Sequence, residues 1–149
     1  MANVHDVAQY IVSRQGAMTT MKLQKLAYYS QAWHLVWDGE PLFDAPIQAW
    51  MNGPVVRELY QRHRGQFHIA QWPLGDSARL SRSERETVDA VLEAYGHLTP
   101  QQLSDLTHSE RPWQEAREGL SPTDRSERPI SLDTMQEFYD ALAHAEPGP

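Results

Sequence analysis

The clearest structural signal in the sequence is KLQKLAYYSQAWHL, residues 22–35. Apolar and small residues recur from there at steps of three and four, at Leu23, Leu26, Ala27, Ser30, Trp33 and Trp37. This spacing predicts a helix with one buried stripe, capped at Thr19 or Thr20 and stopped at Gly39. Because the two tryptophans are four residues apart on the stripe, we expect both to anchor the core.

Shorter helical patterns lie on both sides of this segment. Their expected starts are caps and capping boxes at Asn3, at Ser81 with Glu84, at Thr99 with Gln102, and at Ser131. A further short helix is expected from Pro112 to Glu118. We therefore predict a mainly α, single compact domain of about six helices over residues 1–143, with residues 144–149 as a flexible tail.

The helical pattern is interrupted between Glu40 and Gly53. Three prolines, at positions 41, 46 and 54, break any helix, while residues 47–51 alternate weakly like a short strand. Asn52 and Gly53 form a turn signal, and Pro54 suits the first position of a following helix that runs to about Arg64. The sequence thus predicts a small irregular or β-hairpin insert.

Composition limits the classes of function. The 149 residues carry a net charge of −7 and no cysteine, which disfavours nucleic-acid binding and excludes thiolate sites. No signal peptide or membrane-spanning run is apparent, so we expect a cytoplasmic protein without a membrane partner. Two arginine clusters, around Arg57 to Arg64 and around Arg79 to Arg85, are interleaved with glutamates. They indicate salt-bridged, solvated faces rather than a groove.

Candidate chemistry is concentrated between Asp105 and Glu110, on either side of His108. The spacing matches no zinc motif, so His108 is expected to be a helix-end residue that bonds backbone groups. A hydrolase using His108 with Asp105 or Glu110 stays as an alternative. His63 and His68 make a poor metal pair and are interpreted as surface residues. We therefore expect no catalytic residues, no metal and no cofactor.

Three blocks of unusual residues remain, and they occur in a fixed order. The first is Lys22 to Leu35, and the last is Leu103 to Trp113. The intermediate block comprises Gly39, Pro41, Leu42, Phe43, Ala49, Trp50, Gly53, Pro54, Val55, Leu59 and Tyr60. In this order and spacing, over about residues 4–143, the chain resembles the SocA-like antitoxin domain, also called the Panacea domain, of bacterial and phage toxin–antitoxin systems.

The resemblance implies a mostly helical antitoxin that neutralises a co-encoded toxin by direct protein–protein interaction. The toxin would be encoded by a neighbouring gene, in a bacterial or prophage-associated setting. An alternative implied by some family members is a proteolytic adaptor that delivers the toxin to a bacterial protease. The family supplies a binding role, so the resemblance carries over no catalytic residues.

Candidate partner-binding residues belong to these blocks but lie off the apolar stripe, and we expect them to be exposed. They are Lys22, Lys25, Tyr28 and Asn52, with Arg57 and Tyr60 added because interface hot spots centre on aromatic residues and arginine. The remaining signature residues belong to the core or to the interface, which the sequence leaves open. They are Trp33, Trp50, Gly53, Pro54, Thr107, His108, Pro112 and Trp113.

Overall fold

The computed structural model describes residues 2–145, in which seven α-helices surround small antiparallel strand pairs. The helices are α1 (Val4–Gln15), α2 (Thr20–Asp38), α3 (Arg57–His63), α4 (Arg82–Tyr95), α5 (Pro100–His108), α6 (Arg111–Ala116) and α7 (Leu132–Ala143). The strands are β1 (Met18–Thr19), β2 (Ile47–Trp50), β3 (Gly53–Val56) and β4 (His68–Ile69). The predicted mainly α fold with a hairpin insert is confirmed. The flexible-tail prediction falls largely on residues 146–149, outside the described residues.

Helix α2 is the centre of the fold. It begins where the Thr19 side chain accepts a hydrogen bond from the Lys22 N–H, and it ends at Gly39 in the left-handed conformation, φ 72°. Helices α1, α4, α5 and α7 and strand β3 all pack against it. Nearly every face of α2 is therefore buried, including the polar positions that lie off its apolar stripe.

Two of those buried polar side chains, Gln24 and Gln31, bond the backbone of the insert. The Gln31 amide oxygen accepts from the N–H groups of Leu42 (2.7 Å) and Phe43 (3.3 Å), and its nitrogen donates to the Phe43 carbonyl (2.8 Å). Gln24 accepts from the Val56 N–H (2.7 Å) and donates to the Val56 carbonyl (3.2 Å). Because buried backbone groups need partners, these two glutamines fix the path of the irregular segment on α2.

Strands β2 and β3 form a hairpin with a two-residue turn at Met51 and Asn52. Pro54 lies in β3 opposite Ala49, so its prediction as the first residue of a helix is wrong, and α3 begins only at Arg57. Pro54 is in a strand rather than a helix because β3 pairs with β2 along its whole length and packs on α2. On its other edge β2 bonds residues 128–130, through Ala49 N–H to Arg128 O (2.8 Å) and Ile130 N–H to Ile47 O (2.8 Å).

Several local predictions are confirmed, whereas the one made for Trp37 is wrong. Asn3 caps α1, and capping boxes start α4 at Ser81 and α5 at Thr99. Trp37, expected in the core, is 49% exposed, although its ring stacks on the half-buried Trp33. The reason is position: Trp37 lies in the last turn of α2, beyond the part of the helix that its neighbours cover.

Candidate functional site

Four segments enclose an open cavity of about 750 Å³: the first turns of α2, the hairpin turn, α3 and residues 125–127. We call this cavity the basic groove, because its lining includes four cationic side chains and one carboxylate. The cations are Lys25, Arg57, Arg64 and Arg125, and the carboxylate is Glu127. Arg57 and Arg64 are exposed and Arg57 is ion-paired, as expected, but both line a groove, so the expectation that excluded a groove is wrong.

Lys25 is the most unusual residue of the groove wall, since its side chain is only 2% exposed. Its ammonium donates one hydrogen bond, to the Pro54 carbonyl oxygen at 3.3 Å, and forms no ion pair within residues 2–145. Burial lowers the pKa of Lys25 to about 8, because the charged form loses its hydration. Lys25 was expected to be exposed, and this expectation is wrong. Because α2 lies at the centre of the fold, the whole side chain is buried.

Gly53 makes room for this lysine. Its φ of +121° favours glycine, and a Cβ at this position would lie 2.6 Å from Lys25 Cε and 3.0 Å from Thr107 Oγ1. The backbone of β3 thus approaches the lysine stem more closely than any other residue type permits. Two signature residues, Gly53 and Thr107, therefore have a packing role around Lys25.

The aromatic part of the groove is formed by Trp50 and Tyr60. Their rings meet edge to face with centroids 4.7 Å apart, and the Trp50 indole N–H donates to Gln48 Oε1 at 2.8 Å. Arg57 stands beside them and pairs with Glu127 at 2.7 Å, joining α3 to the loop before Arg128. His63, expected at the surface, is 5% exposed and bonds the Gln24 side chain at 2.9 Å.

The third sequence block, residues 103–113, forms hydrogen bonds to the backbone of the hairpin. The Trp113 indole N–H donates to the Trp50 carbonyl at 2.8 Å, and the Ser104 hydroxyl donates to the Asn52 carbonyl at 2.8 Å. Arg117 donates to the Ala49 carbonyl at 3.0 Å and packs over the Trp113 ring at 5.3 Å. Sequence reasoning missed Arg117 because a lone arginine in a short polar helix carries no signal of burial.

His108 ends α5, as predicted, with its ring stacked on Trp113 at 4.1 Å between centroids. Within the described chain, its Nε2 is buried and has no hydrogen-bond partner. Burial lowers the pKa of His108, and the nearby Lys25 ammonium lowers it further. His108 forms no ion pair with Asp105 or Glu110 in the part of the chain that the structure covers.

Glu110 belongs to a separate cluster of tyrosines. Its Oε1 accepts from the hydroxyls of Tyr29 (2.6 Å) and Tyr139 (2.8 Å), and the Tyr28 and Tyr139 hydroxyls are 3.0 Å apart. Burial raises the pKa of Glu110 above its ordinary value, and the two tyrosine bonds oppose the rise. Among the described residues, the side-chain hydrogen bonds to the Glu110 carboxylate come from these tyrosines and not from His108.

The six partner-binding candidates separate into two sets. Lys25, Asn52, Arg57 and Tyr60 line the groove. Tyr28 does not, because it is 1% exposed in the tyrosine cluster, so its expected exposure is wrong. Lys22 is half-buried and donates to the Gly96 carbonyl at 2.6 Å, away from the groove.

Trp33 and Pro112, the last two signature residues to be described, also lie outside the groove lining. The Trp33 indole N–H donates to the Tyr95 hydroxyl at 2.9 Å, which ties α2 to α4. Pro112 is buried in the first turn of α6. Both positions therefore have structural roles.

No group of three or more histidine, aspartate or glutamate side chains in residues 2–145 has an arrangement that would hold a metal ion. None of the helices over the same span is long and apolar enough to cross a bilayer.

Comparison with known families identifies the class. The model of the family described as "Antitoxin SocA-like, Panacea domain" matches residues 23–114, more than half of the chain, and the chain therefore belongs to this family. Membership supports an antitoxin-type role with a toxin partner in general. The match runs from α2 into α6 and includes most of the groove lining, but not Thr20, Met21 or residues 125–127. No curated protein and no solved structure matches the chain.

Proposed function

We propose that this protein is an antitoxin that neutralises a co-encoded toxin by direct protein–protein contact, without a reaction of its own. The observation that carries the proposal is the family match over α2 to α6, the part that builds most of the groove. Trp50, Tyr60 and Arg57, which line it, are residue types that dominate binding energy at protein interfaces.

The arrangement of titratable groups also favours binding over catalysis. Glu110 accepts hydrogen bonds from two tyrosine hydroxyls and His108 stacks on Trp113, so each side chain already has a structural contact. General acid–base chemistry requires such groups within hydrogen-bond reach of the same substrate proton. The proposed role of these side chains is to hold the hairpin and the helices in place.

The toxin is proposed to be the product of a neighbouring gene, and the two proteins are proposed to meet in the cytoplasm. The test is a pull-down of that product with the tagged full chain from cells that express both. Co-purification in a defined ratio that persists through gel filtration is the expected result. A neighbouring product that never co-purifies, although both proteins are soluble, would overturn the proposal.

The same cells distinguish masking of the toxin from delivery to a protease. A masking antitoxin leaves the half-life of the toxin unchanged or lengthens it after synthesis is stopped. An adaptor shortens the half-life of the toxin, and only while the protease is present. We propose masking, and a protease-dependent shortening would assign the adaptor role instead.

A further inference from the structure

The basic groove differs in charge from the molecule that contains it. Four cations and one carboxylate line it, whereas the whole chain has a net charge of −7. Within residues 2–145, the pair between Arg57 and Glu127 is the one ion pair that these cations form. Lys25, Arg64 and Arg125 remain without a carboxylate there, and a positive concave surface on an acidic protein favours an anionic partner group.

Lys25 adds an incompletely satisfied charge to this surface. Its ammonium has three donors, and the bond to the Pro54 carbonyl uses one of them. A buried charge is costly unless it is paired and hydrogen-bonded, so an acceptor that reaches Lys25 through the groove relieves that cost. Gly53 and Thr107 pack around the stem of the lysine and hold its position.

The groove also offers apolar contacts. Trp50 and Tyr60 form an aromatic corner, while Met21 and Met51 line the wall, and Met51 is exposed. Aromatic residues, methionine and arginine are enriched in the centres of protein interfaces. Its volume of about 750 Å³ is within the range of sites that enclose whole small ligands, so the groove has room for several side chains of a partner.

We infer that the basic groove takes an acidic segment of the toxin, which places an Asp or Glu carboxylate beside Lys25 and an apolar side chain against Trp50 and Tyr60. This inference rests on the proposed function, since it assigns the surface by which the antitoxin holds its partner. A peptide segment fits better than a nucleic acid, because the net charge of −7 repels a phosphate backbone.

The first test compares two double variants with the same change in net charge. R64A/R125A removes two groove cations, and R82A/R85A removes two exposed arginines of α4 outside the groove. Affinity for the purified neighbouring gene product is expected to fall about tenfold or more in the groove variant, from the loss of charge-assisted bonds, and less than twofold in the control. Equal affinities for the two variants would overturn the inference.

The second test needs no toxin. Methionines labelled with ¹³C in their methyl groups are observed by NMR while a short synthetic peptide of alternating glutamate and phenylalanine is added to the full chain. Saturable shifts are expected at Met21 and Met51 but not at the buried Met18 and Met135. A peptide with lysine in place of glutamate should give none, and neither should R64A/R125A.

The two tests separate failure of the inference from failure of the proposed function. If the neighbouring product binds wild type and R64A/R125A equally, the groove inference is overturned and the antitoxin proposal stands. If that product binds neither protein but the acidic peptide shifts Met21 and Met51, the antitoxin proposal and the toxin as occupant are overturned, whereas the acidic and apolar chemistry assigned to the groove stands. If the peptide produces no saturable shift at either methionine and the product binds neither protein, both are overturned.

Discussion

Trp113 donates an indole hydrogen bond of 2.8 Å to the carbonyl oxygen of Trp50, which ties helix α6 to the end of strand β2. The same hairpin is held from α2, where Lys25 bonds the Pro54 carbonyl and Gln24 bonds both backbone groups of Val56. The three sequence blocks therefore converge on one structural unit, the β2–β3 hairpin. The turn of this hairpin lines the basic groove, so the signature residues shape the candidate binding surface.

The bond between Trp113 and Trp50 is tested by W113F. Phenylalanine keeps an aromatic ring against His108 but removes the indole donor, so the free energy of unfolding should fall by about 1–2 kcal/mol. W37F is the control, since Trp37 is half exposed, and it should change stability by less than about 0.5 kcal/mol. Urea unfolding measures both, and equal small effects would show that the bond contributes nothing.

The close approach of Gly53 to Lys25 is tested by G53A. The added methyl group meets Lys25 Cε and Thr107 Oγ1 in a backbone conformation that disfavours alanine, so a loss of about 2 kcal/mol or more is expected. The matched control is G119A, because Gly119 has a positive φ of 83° but open space around its Cβ. If the two variants lose the same stability, crowding at Lys25 is not the cause.

The buried charge of Lys25 predicts a dependence of stability on pH. Its pKa is about 8 in the folded chain, against 10.5 unfolded, so stability falls as pH drops from about 10.5 to about 8 and is regained over the same range as pH rises. The full difference is about 3 kcal/mol. K25M should remove this slope and be at least as stable as wild type at pH 7, as measured by urea unfolding between pH 7 and 9.5.

Other groups near Lys25 do not mask that slope. The pKa values of His63 and His108, which face the lysine, are lowered, so both are neutral in this range. Burial raises the pKa values of Tyr28, Tyr29, Tyr95 and Tyr139, which affects stability only above about pH 10. A wild-type stability that is flat from pH 7 to 9.5 would contradict a buried, charged Lys25.

Glu110 predicts a pH dependence of stability with the opposite sign to that of Lys25. Because burial raises its pKa, its favourable contribution is complete below about pH 4.5 and is lost as pH rises through the folded value. E110Q keeps an acceptor for both tyrosines, so it should match or exceed wild-type stability at pH 7, with the difference shrinking near pH 4.5. E110A leaves the hydroxyls of Tyr29 and Tyr139 without their acceptor and should lose about 2–4 kcal/mol.

Thermal and urea unfolding of E110Q, E110A and wild type at pH 4.5 and pH 7 check these expectations. If E110Q is as unstable as E110A at pH 7, the ionised carboxylate is needed and the account of this cluster is wrong. A stability advantage of wild type over E110Q that grows with pH would likewise show that the predicted direction of the pH dependence is wrong.

Much of the fold followed from local sequence rules. Caps at Asn3, Ser81 and Thr99 act through side chains a few residues away, and such bonds are readable from spacing alone. The hairpin insert was also predicted, but its second strand was mistaken for a helix start at Pro54. The pairing of Pro54 with Ala49 and the support from α2 depend on tertiary contacts, which override a local proline preference.

The site was only partly predictable for a related reason. Resemblance to the family brought Lys25 and Asn52 into consideration, the preference of interface hot spots for aromatic residues and arginine added Arg57 and Tyr60, and the groove contains all four. Exposure was misjudged for Lys25 and Tyr28, because a polar residue off the apolar stripe of a surface helix is normally solvated. Helix α2 is instead enclosed on nearly every side, and its polar groups bond neighbouring backbone and tyrosines.

The most direct test of the central claim is the growth of cells in which the neighbouring gene is induced with and without this chain. The neighbouring gene alone is expected to arrest growth, and co-expression of the wild-type chain is expected to restore it. R64A/R125A at the same soluble level should restore growth less than R82A/R85A. A neighbouring gene that is harmless alone, or an arrest that persists despite abundant soluble wild-type chain, would contradict the claim that this protein is an antitoxin.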